Sequence, residues 1–293
     1  MNHVAKRTLS GLAVGGGVIA LFLWCPLKYV SGIVLFLSCL AQLEFYQLAK
    51  RYEPVTWFGI IAGAAWILCT EYMDVNVLSG PLGFFAPFMF IIALFLLCLL
   101  VLFRQRCANP VGSIASTMLG FFYVPFLFSY ILKIIDIGAV PDAPRTGFYT
   151  LLAVIAMAKF SDTGGFAFGM AFGKHKMCPS ISPKKSWEGL AGSMLFSAAT
   201  ACVFLALSRH YGWGAVVNAW NLLTYPLAAA VGALIALIAT AGDLIESRFK
   251  RECGVKDSAT FMPAGMGGFL DMFDSILFIP ALVYHPLLYT NIL

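Results

Sequence analysis

The sequence predicts an all-α, polytopic integral membrane protein of about nine transmembrane helices, with a cytosolic N-terminus and an external C-terminus. Three observations lead there. Of 293 residues, 60% are hydrophobic and only 11% charged, and the mean hydropathy is +0.86, far too apolar for an ordinary soluble domain. Apolar runs of roughly 20 residues, enough to cross a hydrocarbon core, recur from end to end. Finally, the basic residues sort by loop. With the N-terminus inside, 14 of the 19 Lys and Arg residues fall in cytosolic segments, Lys28, Lys133, Arg145 and Arg209 lie opposite, and Lys159 sits inside a span. That is the positive-inside bias.

The spans are read as Leu9–Trp24, Val30–Leu48, Val55–Thr70, Phe84–Phe103, Ile114–Ile135, Phe148–Phe168, Leu190–Leu207, Leu222–Ala241 and Phe269–Tyr289. They form one membrane domain, 1–293, with N-terminal spans over 1–145 and C-terminal spans and cytosolic loops over 146–293. The first run lacks an A-x-A-like cleavage site and is read as a membrane helix. Gly15 to Gly17 permit close helix packing. Glu44, near the inner end of the second span, is expected to snorkel toward Lys50 and Arg51. Glu71, Asp74, Asp136 and Asp142 fall in outer loops as solvated charges.

The sixth span ends in AKFSDTGGFAFG, carrying Lys159, Ser161 and Asp162. An ion pair or cap would account for them, but Asp162 before Thr163, Gly164 and Gly165 also suits a backbone that approaches a ligand closely, and that reading is preferred. In the following loop, Ser182 and Pro183 make an N-cap and first-turn pair for the seventh span. Its free N–H groups, beside Lys184 and Lys185, would form an anion site. Lys174, His175 and Lys176 have a plainer explanation as a basic surface facing anionic headgroups. His175 is read as a loop histidine.

Several classes find no support. Neither a phosphate loop nor a dinucleotide fingerprint occurs. No repeat suggests an inverted-repeat transporter. The eight cysteines show no zinc-like spacing and are read as reduced packing residues. The net charge of +5 is distributed by topology, so no nucleic-acid partner is expected.

Six of the 14 carboxylates crowd into residues 242–275, GDLIESRFKRECGVKDSATFMPAGMGGFLDMFDS. On a helix, Asp243, Glu246, Ser247 and Lys250 share one face. Asp271 and Asp274, one turn apart in the last span, would point the same way. Carboxylates at membrane depth require cations, and oxygen ligands suit a hard ion such as Mg²⁺, which completes its shell with water and substrate phosphates. Carboxylates, a metal and clustered bases at a membrane surface point to phosphoryl or nucleotidyl transfer onto a lipid.

The same stretch resembles the signature of the CDP-diacylglycerol synthases (phosphatidate cytidylyltransferases), S-x-x-K-R-x-x-x-x-K-D followed by P-G-H-G-G-x-x-D-R-x-D. Ser247, Lys250, Arg251, Lys256, Asp257, Pro263, Gly267, Gly268, Asp271 and Asp274 match it. A second block, FSDTGGFAFGMAFGKHKMCPSISPKKSWEG, is similar to the family's upstream segment and contains Asp162, Ser182, Pro183, Lys184, Lys185, Glu188 and Gly189. The resemblance covers most of the C-terminal half. The N-terminal half matches only as hydrophobic spans. Met266 stands where the family has histidine, Met272 where it has arginine, and Ala264 lengthens the Pro-to-glycine segment by one residue.

What the resemblance implies is transfer of a cytidylyl group from CTP to phosphatidate at the cytosolic face of the cytoplasmic (inner) membrane, giving CDP-diacylglycerol and pyrophosphate. Asp243, Asp271 and Asp274 would hold Mg²⁺ or another divalent cation. Asp271, Asp243, Lys250, Arg251 and Lys256 would form the catalytic set. Asp162, Ser182, Lys184, Lys185, Ser247, Asp257, Gly267 and Gly268 would contact substrate. A monovalent cation beside the divalent one and a homodimer stay open. Two other classes stand beside this one: an ion-coupled transporter, which would need acidic groups near the midplane, and a catalytically silent lipid-binding homologue, suggested by Met266 and Met272.

Overall fold

The computed structural model describes residues 29–72, 85–104, 107–137, 146–211, 223–255 and 268–292. They are almost wholly helical, as a low-dielectric surround demands of a backbone that must satisfy its own hydrogen bonds. Two compact units are present. One is Met1–Leu132 with Val255–Met272, the other Lys133–Gly254 with Phe273–Leu293.

The first unit contains α1 (Val30–Leu48), a 3₁₀ turn (Ala49–Tyr52), α2 (Thr56–Tyr72), α3 (Phe85–Leu102) and α4 (Pro110–Phe121). Asn109 caps α4, its side chain accepting from Gly112 N at 2.8 Å, with Pro110 in the first turn, where a missing N–H costs nothing. A π-helical turn, Phe122–Phe126, contains Pro125 and leads into α5 (Leu127–Ile137). A buried polar seam joins the helices. Gln42 Nε2 donates to Gly59 O at 2.9 Å, Tyr46 Oη to Thr117 O at 2.9 Å, and Val55 N to Thr117 Oγ1 at 2.8 Å. In apolar surroundings such bonds fix the register of neighbouring helices, because the alternative is an unsatisfied polar group.

The second unit contains α6 (Thr146–Phe172), a hairpin of β1 (Lys176–Cys178) and β2 (Ser182–Ser186), then α7 (Trp187–Tyr211) and α8 (Tyr225–Glu252). α6 and α7 meet backbone to backbone: a Cβ placed on Gly164 would come within 2.5 Å of Gly192 O. Ser193 Oγ donates across the contact to Ser161 O at 2.9 Å. The glycines after Asp162 therefore serve close helix packing. Met157, Ala201, Leu205, Ile235 and Ile279 form part of the apolar core beneath.

The last expected span is interrupted. α9 (Phe269–Phe273) ends at a turn over residues 274–277, and α10 (Phe278–Ile292) follows. Ile276 N and Leu277 N both donate to Phe273 O, at 2.8 and 2.9 Å. Asp271 thus lies in a helix and Asp274 in the turn beyond it, so the expectation of two carboxylates on one continuous helix is corrected.

Six helical stretches are long and apolar enough to cross a membrane: Val30–Tyr52, Pro110–Asp136, Gly147–Phe172, Trp187–Tyr211, Tyr225–Glu252 and Phe269–Leu287. Thr56–Glu71 and Phe88–Leu102 are apolar but shorter. The expected span Leu9–Trp24, with Gly15 to Gly17, lies outside the described residues. The protein is a polytopic membrane protein with six candidate spans among the described residues.

Candidate active site

In the second unit, three separate segments bring carboxylates together: α6 supplies Asp162, α8 supplies Asp243 and Glu246, and the turn after α9 supplies Asp274. Close approach makes this geometry possible. Gly242 packs on the turn so tightly that a Cβ there would come within 2.5 Å of Asp274 O. Asp274 lies within electrostatic reach of Glu246, Asp243 and Lys159. Asp162 is likewise within electrostatic reach of Asp243, Lys159 and Lys185.

The lysines are already engaged. Lys185 Nζ lies 2.7 Å from Asp243 Oδ2 and donates to Thr240 O at 3.1 Å. Lys159 Nζ is 3.8 Å from Asp162 Oδ2 and donates to Ser275 Oγ at 3.3 Å, while Ser275 Oγ donates to Asp162 Oδ2 at 3.3 Å. Along α8 the expected one-face spacing holds. Ser247 Oγ donates to Asp243 Oδ1 at 3.3 Å, and Lys250 Nζ pairs with Glu246 Oε1 at 3.4 Å. The Lys250 side chain is only 12% exposed and that of Glu246 fully buried, so this lysine is a buried partner of a carboxylate. Arg251 Nε reaches Ile181 O at 3.4 Å, tying the end of α8 to the hairpin.

The hairpin corrects the expected anion site. Ser182 and Pro183 do not open a helix: residues 182–186 form β2, pairing antiparallel with β1 so that Cys178 faces Ser182 and Lys176 faces Ser186. The helix starts at Trp187, and its cap is Ser186, whose Oγ accepts from Gly189 N at 3.1 Å. Glu188 already puts a negative charge in that first turn, which disfavours an anion there. Its carboxylate holds the hairpin instead, 2.6 Å from His175 Nδ1 and accepting from His175 N. Strand alternation also separates the two lysines: Lys185 points toward α8, and Lys184 is exposed on the other side.

Asp271 belongs to the first unit, where its Oδ2 accepts from Gly268 N at 2.9 Å. Glu44 was misjudged from sequence. It is 1% exposed and does not snorkel: its Oε2 accepts from Leu270 N at 2.9 Å. Ser275, Thr240 and Ser186 were also missed. Ser275, adjacent to a signature aspartate, and Ser186, adjacent to Lys185 in the upstream block, carried a signal that could have found them. Lys256, Asp257, Pro263, Ala264, Met266 and Gly267 lie outside the described residues.

The profile of the Cytidylyltransferase family matches residues 5–290. The chain belongs to the cytidylyltransferase family. Among relatives of this family member, a phosphatidate cytidylyltransferase of Haemophilus influenzae is 29% identical over 281 residues, covering 92% of this chain and 94% of that protein. One of Staphylococcus aureus is 29% identical over 268 residues, 89% of this chain and 93% of that protein. One of Mycobacterium bovis is 37% identical over 174 residues, 58% of this chain and 49% of that protein. The chain thus spans about half the length of the mycobacterial relative.

Carboxylates gathered this way in a cytidylyltransferase need protons, lysines or a cation to coexist. The pairs Lys185–Asp243 and Lys250–Glu246 illustrate the need directly. The donors are all oxygen, which suits a hard divalent ion. Among the described residues, no three His, Cys, Asp or Glu side chains form a ready-made metal cage. Magnesium uses one or two carboxylates and takes the rest of its shell from water and phosphate, so the arrangement fits that ion.

Proposed function

We propose that this chain is a CTP:phosphatidate cytidylyltransferase, joining CTP and phosphatidate to give CDP-diacylglycerol and pyrophosphate in phospholipid synthesis. The observation that carries the reading is the convergence of Asp162, Asp243 and Asp274 around Lys185 and Lys159, using residues of both signature blocks. The names of the relatives point to the same substrates.

A phosphate oxygen of phosphatidate attacks the α-phosphorus of CTP in line. The new O–P bond forms as the bond from the α-phosphorus to the bridging oxygen breaks, and pyrophosphate leaves. A phosphate monoester is largely ionised at neutral pH, with a second pKa of about 6, so no strong base is required. Met266 in place of histidine is compatible with that chemistry. Asp243, Asp271 and Asp274 are the proposed holders of a divalent cation, which when bound neutralises charge on the attacking and leaving oxygens.

Lys185 would keep Asp243 oriented and offer its third N–H to a substrate phosphate, since two of its three donors are already used. Arg251, Lys184 and Lys256 are proposed to bind the remaining phosphate charge. Ser182, Asp257, Gly267 and Gly268 are proposed as further substrate contacts. Lys250 is assigned a different part from the one its sequence position suggested: it neutralises Glu246 beneath the site. The distribution of basic residues supports an active face toward the cytosol.

Membranes containing the chain, given radiolabelled CTP, phosphatidate and Mg²⁺, should form labelled CDP-diacylglycerol in amounts that depend on both substrates. Solute uptake without CTP consumption would replace the reading with a transporter. No product, with nucleotide binding also lost, would replace it with a silent homologue.

A further inference from the structure

Glu44 lies within a candidate membrane span, far from both signature blocks in sequence, and nothing in the proposed reaction uses it. It is 1% exposed. A carboxylate costs several kcal/mol to bury unless strong donors meet it. Its Oε2 accepts from Leu270 N at 2.9 Å, a bond spanning 226 positions of the chain. Leu270 itself is fully buried, and the next residue, Asp271, turns back to take Gly268 N at 2.9 Å. Two N–H groups at the start of α9 are therefore held by carboxylates. Asp271 supplies one locally, and Glu44 supplies the other from α1.

We propose that Glu44 is a positioning residue: by gripping the Leu270 amide it sets the orientation of the backbone that presents Asp271. The inference rests on the assignment of Asp271 to the reacting centre. A five-residue helix has no length to stabilise itself, since nucleating a helical turn is unfavourable. Its direction must be imposed from outside. A charge-assisted bond from a rigid neighbouring helix does this better than a neutral one, and partners of this kind typically change affinity or activity by 10–100-fold when removed.

The test uses the full chain in lipid nanodiscs, with two variants and two readouts. Glu44→Asp keeps the charge and withdraws the acceptor by one methylene. Glu44→Gln keeps the reach and an acceptor oxygen. Hydrogen exchange of peptides covering 268–273, measured without metal or nucleotide, reports the bond itself. CTP-dependent turnover reports its consequence. Glu44→Asp is expected to exchange these amides at least about tenfold faster and to lose turnover about tenfold, with exchange along α8 unchanged. Glu44→Gln is expected to retain the protection and to turn over within about threefold of wild type. Wild-type exchange or wild-type turnover in Glu44→Asp overturns the proposal, and so does a Glu44→Gln protein as slow as Glu44→Asp. Asp271→Asn separates the two levels: wild-type turnover in that variant removes the reading of Asp271, whereas an inactive Asp271→Asn beside an unaffected Glu44→Asp removes only the role of Glu44.

Discussion

Lys185 and Asp243 meet at 2.7 Å although 58 sequence positions and a whole helix separate them in the chain; the lysine also donates to Thr240 O at 3.1 Å. One strand residue thereby fixes the carboxylate at the point where α8 leaves its apolar stretch.

Removing either partner is expected to cost activity. Lys185→Met and Asp243→Asn should each lower CTP-dependent lipid synthesis roughly 10–100-fold, and the double variant should be no worse than the poorer single one, because both act through one contact. Strictly multiplicative losses in a double-mutant cycle would show that the two act independently.

Gly242→Ala drives a methyl group into the carbonyl of Asp274. An overpacked contact of this type costs about 1–3 kcal/mol. The variant should melt several degrees lower in detergent and turn over more slowly. Unchanged melting would mean that the turn yields without strain.

Ser275→Ala deletes the hydroxyl that links Lys159 to Asp162. Two part-buried hydrogen bonds at about 1 kcal/mol each suggest a loss of up to about 30-fold in turnover with a small change in stability. Ser275→Thr retains the hydroxyl and should be the milder of the two in the same assay.

Chelation should abolish incorporation of labelled CTP, and added Mg²⁺ should restore it. Asp274→Asn should raise the Mg²⁺ concentration needed for half-maximal rate, measured by titration at saturating CTP. A variant with the wild-type requirement would remove Asp274 from the ion's surroundings.

The helical, membrane-embedded character of the chain was legible because length and apolarity suffice to recognise it. So was the shared face of Asp243, Glu246, Ser247 and Lys250, because their i,i+3 and i,i+4 relations need only a helix. Ser182 misled because Ser-Pro is a good helix opening in isolation, whereas pairing with β1 makes residues 182–186 extended and passes the cap to Ser186. Glu44 could not be placed because its partner is a backbone amide more than 200 residues away. The interruption at Asp274 was hidden because the residues on both sides remain apolar, and its one mark, Pro280 in the first turn of α10, lies beyond the turn itself.

The π-helical turn at Phe122–Phe126 adds one residue to a stretch that otherwise rises regularly from Pro110 to Asp136. One added residue rotates everything downstream by about 100°. Side chains before and after Pro125 are therefore out of phase, and a single heptad-style wheel drawn through both halves would assign the wrong azimuth to one of them. Deleting one residue here would restore uniform winding and turn the wrong stripe of α5 toward its neighbours.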